Sequence, residues 1–472
     1  MEKAIAYRLD VTNEPIPNPK DLHHEGINEN RMFFCKLFVE KGPDGFYLAG
    51  ELLSESRARR LSEFFSKGDN RQFLPFNVSF FKAKKGSSFE SIVNSLFASN
   101  LLLDMNSSSR PKDLIGLNNR LFPLLFQAVE TDENVLDDPD SFSIYSFQNG
   151  RFFTKDPKLK FSLINSDVSL DNLLNSILKG LPSLTPFQPK DFLSGNVDQI
   201  FSLNVGQASC TYGVLNCSKI TSSFFDVGFE KFTSPSKFKT AQGIYKQVQP
   251  GGFVVLSHFD TDHFLGAAFS TSKNPNLFLK TWIIPDLSSL NSPQLLLSSL
   301  SLSAILLLAS LFSVPNPSIF WLTTNGQWAQ IANNVYVQNA SGKGRNNSGI
   351  VSYVIGQDGL LFIPGDADYQ YWPSTPGPIT AMVVPHHGSY SQIPPSVNLS
   401  KTFKSIIYAG RNTYGHPSLC SLVDLDAHGC QPIWRFRNDF ILGLGLKAYC
   451  GTHFIVDPFS RTCLCDFFLF FK

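Results

Sequence analysis

The sequence predicts an α/β protein of two domains, and three observations predict it. Its 472 residues exceed what one hydrophobic core usually organises, so a division near residue 195 is expected. From residue 196 to 472 the chain is a succession of short apolar runs ended by small or acidic residues: FSLNVG, SSFFDVG, GGFVVLSHFD, IVSYVI, GLLFIPGD and AMVVPHHGS. That is the pattern of a sheet whose strand tips project functional side chains. Before residue 195, strand and helix signals alternate with no cluster of ligand-type residues.

In chain order, Phe33–Glu40 and Phe46–Leu52 flank KGPDG as a hairpin. Ser54–Ser66 follows as a capped helix, and Phe76–Lys82 as a strand. Ser88–Leu103 and Leu114–Val129 read as helices, the second interrupted at Pro123. Leu181–Asn196 carries three prolines and little periodicity, so it reads as the linker. Leu295–Ser313 has nineteen uncharged residues, enough to span a bilayer. Six of them are serines and no basic residue flanks them, so a helix buried in the second domain or docked on a partner is expected instead, with no stable membrane span.

Composition is that of a globular protein, 43% apolar and 17% charged, and a net charge of +1 by itself argues neither for a nucleic-acid coat protein nor for an acidic tail. Residues 1–195 hold 23 Lys/Arg against 25 Asp/Glu, while residues 196–472 hold 17 against 14. The opening MEKAIAYRLD has no apolar core behind its charges, and a cytoplasmic location is expected. Eight cysteines are too sparse for a disulfide scaffold and suit a reducing compartment. Five of them follow position 419, beside His428 and His453, but in no zinc spacing, so they read as buried thiols.

The chemistry concentrates at His258-Phe259-Asp260-Thr261-Asp262-His263, just after the apolar Phe253–Leu256. Four ligand-type side chains in six residues can converge on adjacent cations only if the backbone turns sharply, and Gly266 lets the following segment pack closely. Only nine histidines occur in the chain, so this clustering is not a chance polar loop. Further along stand Asp226 in FFDVG, Asn346-Asn347-Ser348 at an expected strand start, Asp366 in LLFIPGD, His386-His387 in VPHHGS and His416 in YGHPS.

This ordered series resembles the metallo-β-lactamase superfamily, whose HxHxDH signature takes the form HxDxDH here, and it is similar to the nuclease domain of the ComEC family of DNA-uptake proteins. The resemblance covers about 201–455. It implies a metallo-β-lactamase αββα sandwich after a smaller α/β N-terminal domain of unrecognised fold. It implies two divalent ions, Mn²⁺, Zn²⁺ or Mg²⁺, on His258, Asp260, Asp262, His263, Asp366, His387 and His416. Asp262, His387 and His416 would be catalytic, with His386 beside them, and Asp226 would orient the histidines. Aspartate at 260 hardens the site towards Mn²⁺ or Mg²⁺. Asparagine stands where a histidine ordinarily precedes the bridging aspartate, which implies a first metal held by fewer protein groups. NVGQAS, Asn204 to Ser209, lacks two carboxylates of the related Asp-Val-Gly-Gln-Gly-Asp run.

Two cations lower the pKa of water and neutralise charge on a phosphate, so the resemblance implies a phosphodiesterase or nuclease acting on a nucleic acid or nucleotide. By analogy it suggests an effector of a cytoplasmic antiviral or other conflict system. Two alternatives stay open: a metallo-hydrolase of another ester, and a metal-binding scaffold whose residues 1–195 bind a protein partner. Lys343-Gly344-Arg345 could meet a phosphate backbone, and Lys401, Lys404 and Arg411 could form a rim for a polyanion. His23-His24 reads as a solvated turn.

Overall fold

The computed structural model describes residues 33–42, 45–67, 73–83, 125–130, 142–148, 150–155, 159–164, 168–181, 184–188, 195–202, 205, 208–215, 221–233, 238, 242, 245, 248–315, 317–324, 326–356, 359–408, 416–436 and 454–456. Its contacts divide the chain into two compact units, Met1–Leu181 with Leu290–Pro315, and Pro182–Ser289 with Asn316–Lys472. The boundary expected near 195 therefore falls earlier, and the first unit borrows a segment from the middle of the second. The expected linker carries Thr185–Pro186, which pairs in parallel with Ile319–Leu322 as an edge strand of the second unit.

The first unit holds a seven-stranded, wholly antiparallel sheet. Its strands are β1 Phe33–Gly42, β2 Gly45–Ser54, β3 Val78–Ala83, β4 Leu125–Glu130, β5 Phe142–Gln148, β6 Arg151–Lys155 and β7 Leu159–Ile164, ordered β6-β5-β3-β2-β1-β4-β7. The hairpin read from KGPDG is β1–β2, closing at Gly42 opposite Gly45. Helix α1, Glu55–Lys67, starts where Ser54 Oγ accepts the Arg57 N–H at 3.3 Å. The helix expected over Leu114–Val129 ends instead in β4, which pairs with both β1 and β7. An apolar run reads as a buried helix or an interior strand with equal ease, and here pairing on both edges decides. The helix expected over Ser88–Leu103 lies outside the described residues.

The uncharged segment forms two helices rather than one. After α2, Val168–Gly180, come α3, Pro293–Ser299, and α4, Leu302–Phe312. Ser292 Oγ caps α3 through the Leu295 N–H, and Ser301 Oγ caps α4 through the Ala304 N–H. Every residue of α4 from Leu302 to Leu311 is buried, as a helix with no charged side chain on any face allows. It packs on β2 and α2 within the first unit, which corrects the expectation of burial inside the second domain. No helix among the described residues is long and apolar enough to cross a membrane.

Two charged side chains receive this segment. Lys36 and Glu51 are directly opposite on β1 and β2. Lys36 Nζ donates to the carbonyls of Leu297 and Leu300, at 2.8 and 2.7 Å, at the C-terminal end of α3. Buried Glu51 accepts the Ser303 hydroxyl at 2.6 Å and its N–H at 3.3 Å in the first turn of α4. Each charge meets the helix end whose unpaired groups and dipole favour it.

The second unit holds two mixed sheets. One runs through β8 Thr185–Pro186, β9 Val197–Ser202, β10 Thr211–Leu215, β11 Thr221–Phe225, β12 Phe253–Val255, β13 Thr281–Pro285, β14 Ile319–Leu322 and, at its edge, β22 Phe454–Val456. The other runs in sequence order through β15 Ala329–Ala332, β16 Val335–Asn339, β17 Ile350–Gly356, β18 Gly359–Ile363, β19 Ile379–Val383, β20 Leu399–Tyr408 and β21 Cys430–Phe436. Each begins antiparallel and turns parallel, from β11 to β12 in one and from β18 to β19 in the other. The sheets are tied by the Tyr408 hydroxyl, which donates to the Cys210 carbonyl at 2.7 Å and lies 2.7 Å from Thr211 Oγ1. Each apolar run that the sequence analysis read as a strand contributes to one among the described residues, FSLNVG through Phe201 and Ser202 alone.

Replacing Glu51 by Ala should cost the first unit roughly 2–4 kcal/mol, because the buried Ser303 hydroxyl and N–H would lose their carboxylate partner. Urea unfolding followed by circular dichroism measures it. An unchanged midpoint would mean that the clamp does not hold α3 and α4 in place.

Candidate metal centre

The functional loops leave the C-terminal tips of strands at the parallel halves of both sheets. β11 runs into Asp226, β12 into Ser257 and His258, β18 into Asp366, and β19 into His386 and His387. Three residues other than glycine have positive φ among the described residues: Asp226 at 58°, His386 at 48° and His387 at 55°. The left-handed region costs an L-residue about 1–2 kcal/mol, so three such bends in one place mark backbone held for what its side chains reach.

Asp226 is buried and acts as the hub. Its Oδ1 accepts the Ser257 N–H at 2.7 Å, and its Oδ2 accepts the Ser257 hydroxyl at 2.9 Å and His263 Nδ1–H at 2.7 Å. Ser257 has spent its proton, so His258 Nδ1–H donates to Ser257 Oγ at 3.0 Å. His387 Nδ1–H donates to the Tyr408 carbonyl at 3.0 Å. All three imidazoles are thus anchored at Nδ1 and aim Nε2 inward. The Nε2 atoms of His258 and His263 are buried with no hydrogen-bond partner among the described residues.

Carboxylates meet these nitrogens. Asp366 Oδ1 lies 3.2 Å from His263 Nε2 and its Oδ2 3.7 Å from His258 Nε2, while Asp262 Oδ2 lies 3.2 Å from His387 Nε2. Gly365, at φ 58°, brings Asp366 in: a Cβ there would sit 2.5 Å from the Ser257 Cβ. Asp262 and His263 share the helical turn Thr261–Phe264. The Asp262 carbonyl accepts the Ser209 N–H at 3.1 Å, so a main-chain bond from the end of NVGQAS secures the turn. Behind it, the Gly266 N–H donates to the Val227 carbonyl at 2.6 Å, an approach that a side chain would block.

The charges are mutually dependent. Burial opposes a positive His263, yet Asp366 and Asp226 outweigh it and raise its pKa. Burial likewise opposes charge on His387, and the hydrogen bond to Asp262, with Asp366, raises its pKa. Burial alone would raise the pKa of Asp366 and Asp262, but the surrounding histidines hold both lower. Burial, together with His386 and His387, pushes His416 down to about 4, so its imidazole is neutral at pH 7.

Two triads have donor atoms close enough to share an ion: His258, His263 and Asp366, and Asp262, His263 and His387. The donor set fits a divalent cation, because buried imidazole nitrogens facing carboxylates lack any other partner among the described residues. The structure thus brings together five of the seven residues expected as ligands. Asp260 belongs to neither triad; its Oδ1 pairs with Arg345 at 2.9 Å and its Oδ2 faces His258 Nε2 at 3.5 Å. His416 stands at the rim, its ring 5.7 Å from that of His386. His386 Nε2 is 3.9 Å from Asp366.

Asn346-Asn347-Ser348 does not begin a strand; Gly344–Asn347 is a helical turn ahead of β17. Asn347 Oδ1 accepts the Asp368 N–H at 3.0 Å and so fixes the loop after Asp366. Arg345 and Ser257 are the functional residues that the sequence reading assigned no place in the centre. Only the position of Ser257, just before His258 at a strand tip, could have flagged it. Lys401 and Lys404 lie on β20, seven and four residues before Tyr408, about 23 and 13 Å along a strand. Arg411 lies outside the described residues.

No protein-family model and no curated protein matches the chain. Among solved structures it is similar to Tm1679, a metal-dependent hydrolase of the β-lactamase superfamily, at 11% identity and a TM-score of 0.29 over 50% of this chain and 95% of that one. It is also similar to a variant of CmlA β-hydroxylase, at 12% and 0.30 over 71% and 79%. A third likeness is to Zn²⁺-bound PqqB from Methylobacterium extorquens, at 10% and 0.26 over 52% and 86%. Likenesses this distant leave the chemistry to be read from this chain's own side chains.

Asp226→Asn should weaken divalent-metal binding about 10- to 100-fold, since an amide cannot accept at both atoms from Ser257 and His263. Isothermal titration with Mn²⁺ or Zn²⁺ measures this, and an unchanged affinity would remove Asp226 from the account. Metal must also displace the protons that the raised pKa values keep on His263 and His387. Affinity should therefore fall as pH drops, beginning above the ordinary imidazole value of about 6.5. A pH-independent affinity between 5 and about 8 would contradict that linkage.

Proposed function

We propose that the second unit is a divalent-metal-dependent hydrolase of phosphodiesters, with a nucleic acid or nucleotide as its substrate class. One observation carries the reading: three imidazoles, each locked at Nδ1, converge their Nε2 atoms on the carboxylates of Asp262 and Asp366. His258, His263, Asp366, Asp262 and His387 would hold the cations, with Asp260 and His416 at the margin. Bound there, divalent cations supply Lewis acidity that lowers the pKa of water and offsets charge on the phosphate.

The chain's own groups do the rest. Asp262 and Asp366 stay ionised, because the adjacent histidines hold their pKa values low. Asp262 can thus accept a hydrogen bond from an attacking water. His416, neutral at pH 7, offers a ring N–H to a substrate oxygen without bringing a charge of its own. His386 is 39% exposed and Arg345 52% exposed at the rim, so an anionic group meets donors before it meets Asp366. That rim favours a phosphodiester over a neutral ester. Both candidate triads among the described residues belong to the second unit, which leaves recognition or regulation, including binding of a protein partner, to the first.

The test is turnover by the purified full chain with Mn²⁺, Zn²⁺ or Mg²⁺, on bis(p-nitrophenyl) phosphate and on labelled single- and double-stranded DNA and RNA. Asp366→Ala and Asp262→Ala should each lower kcat by at least about 10²–10³ while the fold is retained. Turnover of p-nitrophenyl acetate or a lactone with none of any phosphodiester would show that the substrate class is wrong. A folded, metal-loaded chain inactive on all of these would identify a binding scaffold.

A further inference from the structure

Arg345 is in an unusual place for a cation. Its guanidinium lies 2.9 Å from Asp260 Oδ1, and the other oxygen of Asp260 is 3.5 Å from His258 Nε2. This occupies one side of the His258 end of the centre, where Asp366 Oδ2 is 3.7 Å from the same nitrogen. The opposite end, Asp262, His263 and His387, has no such competitor among the described residues. Arg345 is 52% exposed, on a turn that begins at Gly344 with φ 81° and open space around it, so its side chain can leave for water without disturbing the core.

We propose that the two ends of the centre are unequal, with Arg345 acting as a resident cation that excludes the second metal until it is drawn off Asp260. The inference rests on the metal-dependent reading above. Charge balance supports it. Asp226, Asp260, Asp262 and Asp366 carry four negative charges; one dication and Arg345 leave a single negative charge, and a second dication turns this into a single positive one. With Arg345 in place and no anion in the site, the second ion therefore works against the guanidinium's like charge beside Asp260 and carries the centre past neutrality. A phosphodiester supplies the missing negative charge and is also the partner for which a guanidinium fork is suited. Second metal and substrate should accordingly promote each other's binding, and Arg345 is the residue through which they are coupled.

The experiment is a titration of the metal-free full chain with Mn²⁺ or Zn²⁺ by calorimetry, with bound metal counted by elemental analysis. The wild-type chain should show one tight and one weak site. Arg345→Ala should tighten the weak site on the order of tenfold and leave the tight one unchanged, a figure that already allows for the guanidinium's exposure. Arg345→Lys, which keeps the charge without the fork, should fall between the two. Equal sites in the wild type, or a second site no tighter in Arg345→Ala, would overturn the proposal while leaving the metal-dependent reading intact. Absence of any metal binding by the folded wild-type chain would overturn both.

Discussion

The centre depends on a carboxylate that no ligand needs to touch. Asp226 is buried at the tip of β11 on a left-handed bend and receives three hydrogen bonds, two from Ser257 and one from His263. Those bonds fix where the next strand tip goes. They also fix which nitrogen of His263 carries a proton and, through the Ser257 hydroxyl, which nitrogen of His258 does. A buried acceptor on left-handed backbone is costly, and it persists because several donors converge on it at once. Remove it and two imidazoles lose the bonds that set their orientation and tautomer.

Two sheets are needed because the donors come from both. His258, Asp262 and His263 follow β12, whereas Asp366, His386 and His387 follow β18 and β19. Rigid parallel strands bring these tips to one place, and the tie between Tyr408 and the Cys210–Thr211 backbone and side chain sets the separation. Tyr408 then uses its own carbonyl to anchor His387, so one residue joins the sheets and orients a ligand. The first unit meets a different constraint. It accepts α3 and α4 from the middle of the other unit's sequence, and it does so with one cation and one anion placed at helix ends rather than with apolar contact alone.

What was legible in the sequence was local. HFDTDH, the Gly-Asp of LLFIPGD and VPHHGS announced themselves through rare residue types at strand tips, and the structure gathers them. The hairpin around KGPDG and the Ser54 cap were equally plain, because turn and cap chemistry act over four or five residues. Hidden features were those decided by distant partners. The apolar run at Leu125–Glu130 became a strand because β1 and β7 flank it, and Leu290–Pro315 joined the first unit because Lys36 and Glu51 wait there. Arg345 was legible only as part of a basic loop, Lys343-Gly344-Arg345, that could meet a phosphate backbone; its place beside Asp260, 85 positions earlier, was not.

The central claim is that the protein presets three imidazoles with their Nδ1 atoms protonated and their Nε2 atoms presented to a cation. The most direct measurement is long-range ¹H–¹⁵N NMR on the full chain labelled at its histidine ring nitrogens, before and after addition of Zn²⁺. The account predicts that His258, His263 and His387, assigned by single replacement, retain Nδ1–H throughout while their Nε2 resonances move to metal-bound positions. Tautomers with Nε2–H in the loaded protein, or Nε2 resonances indifferent to Zn²⁺, would contradict it.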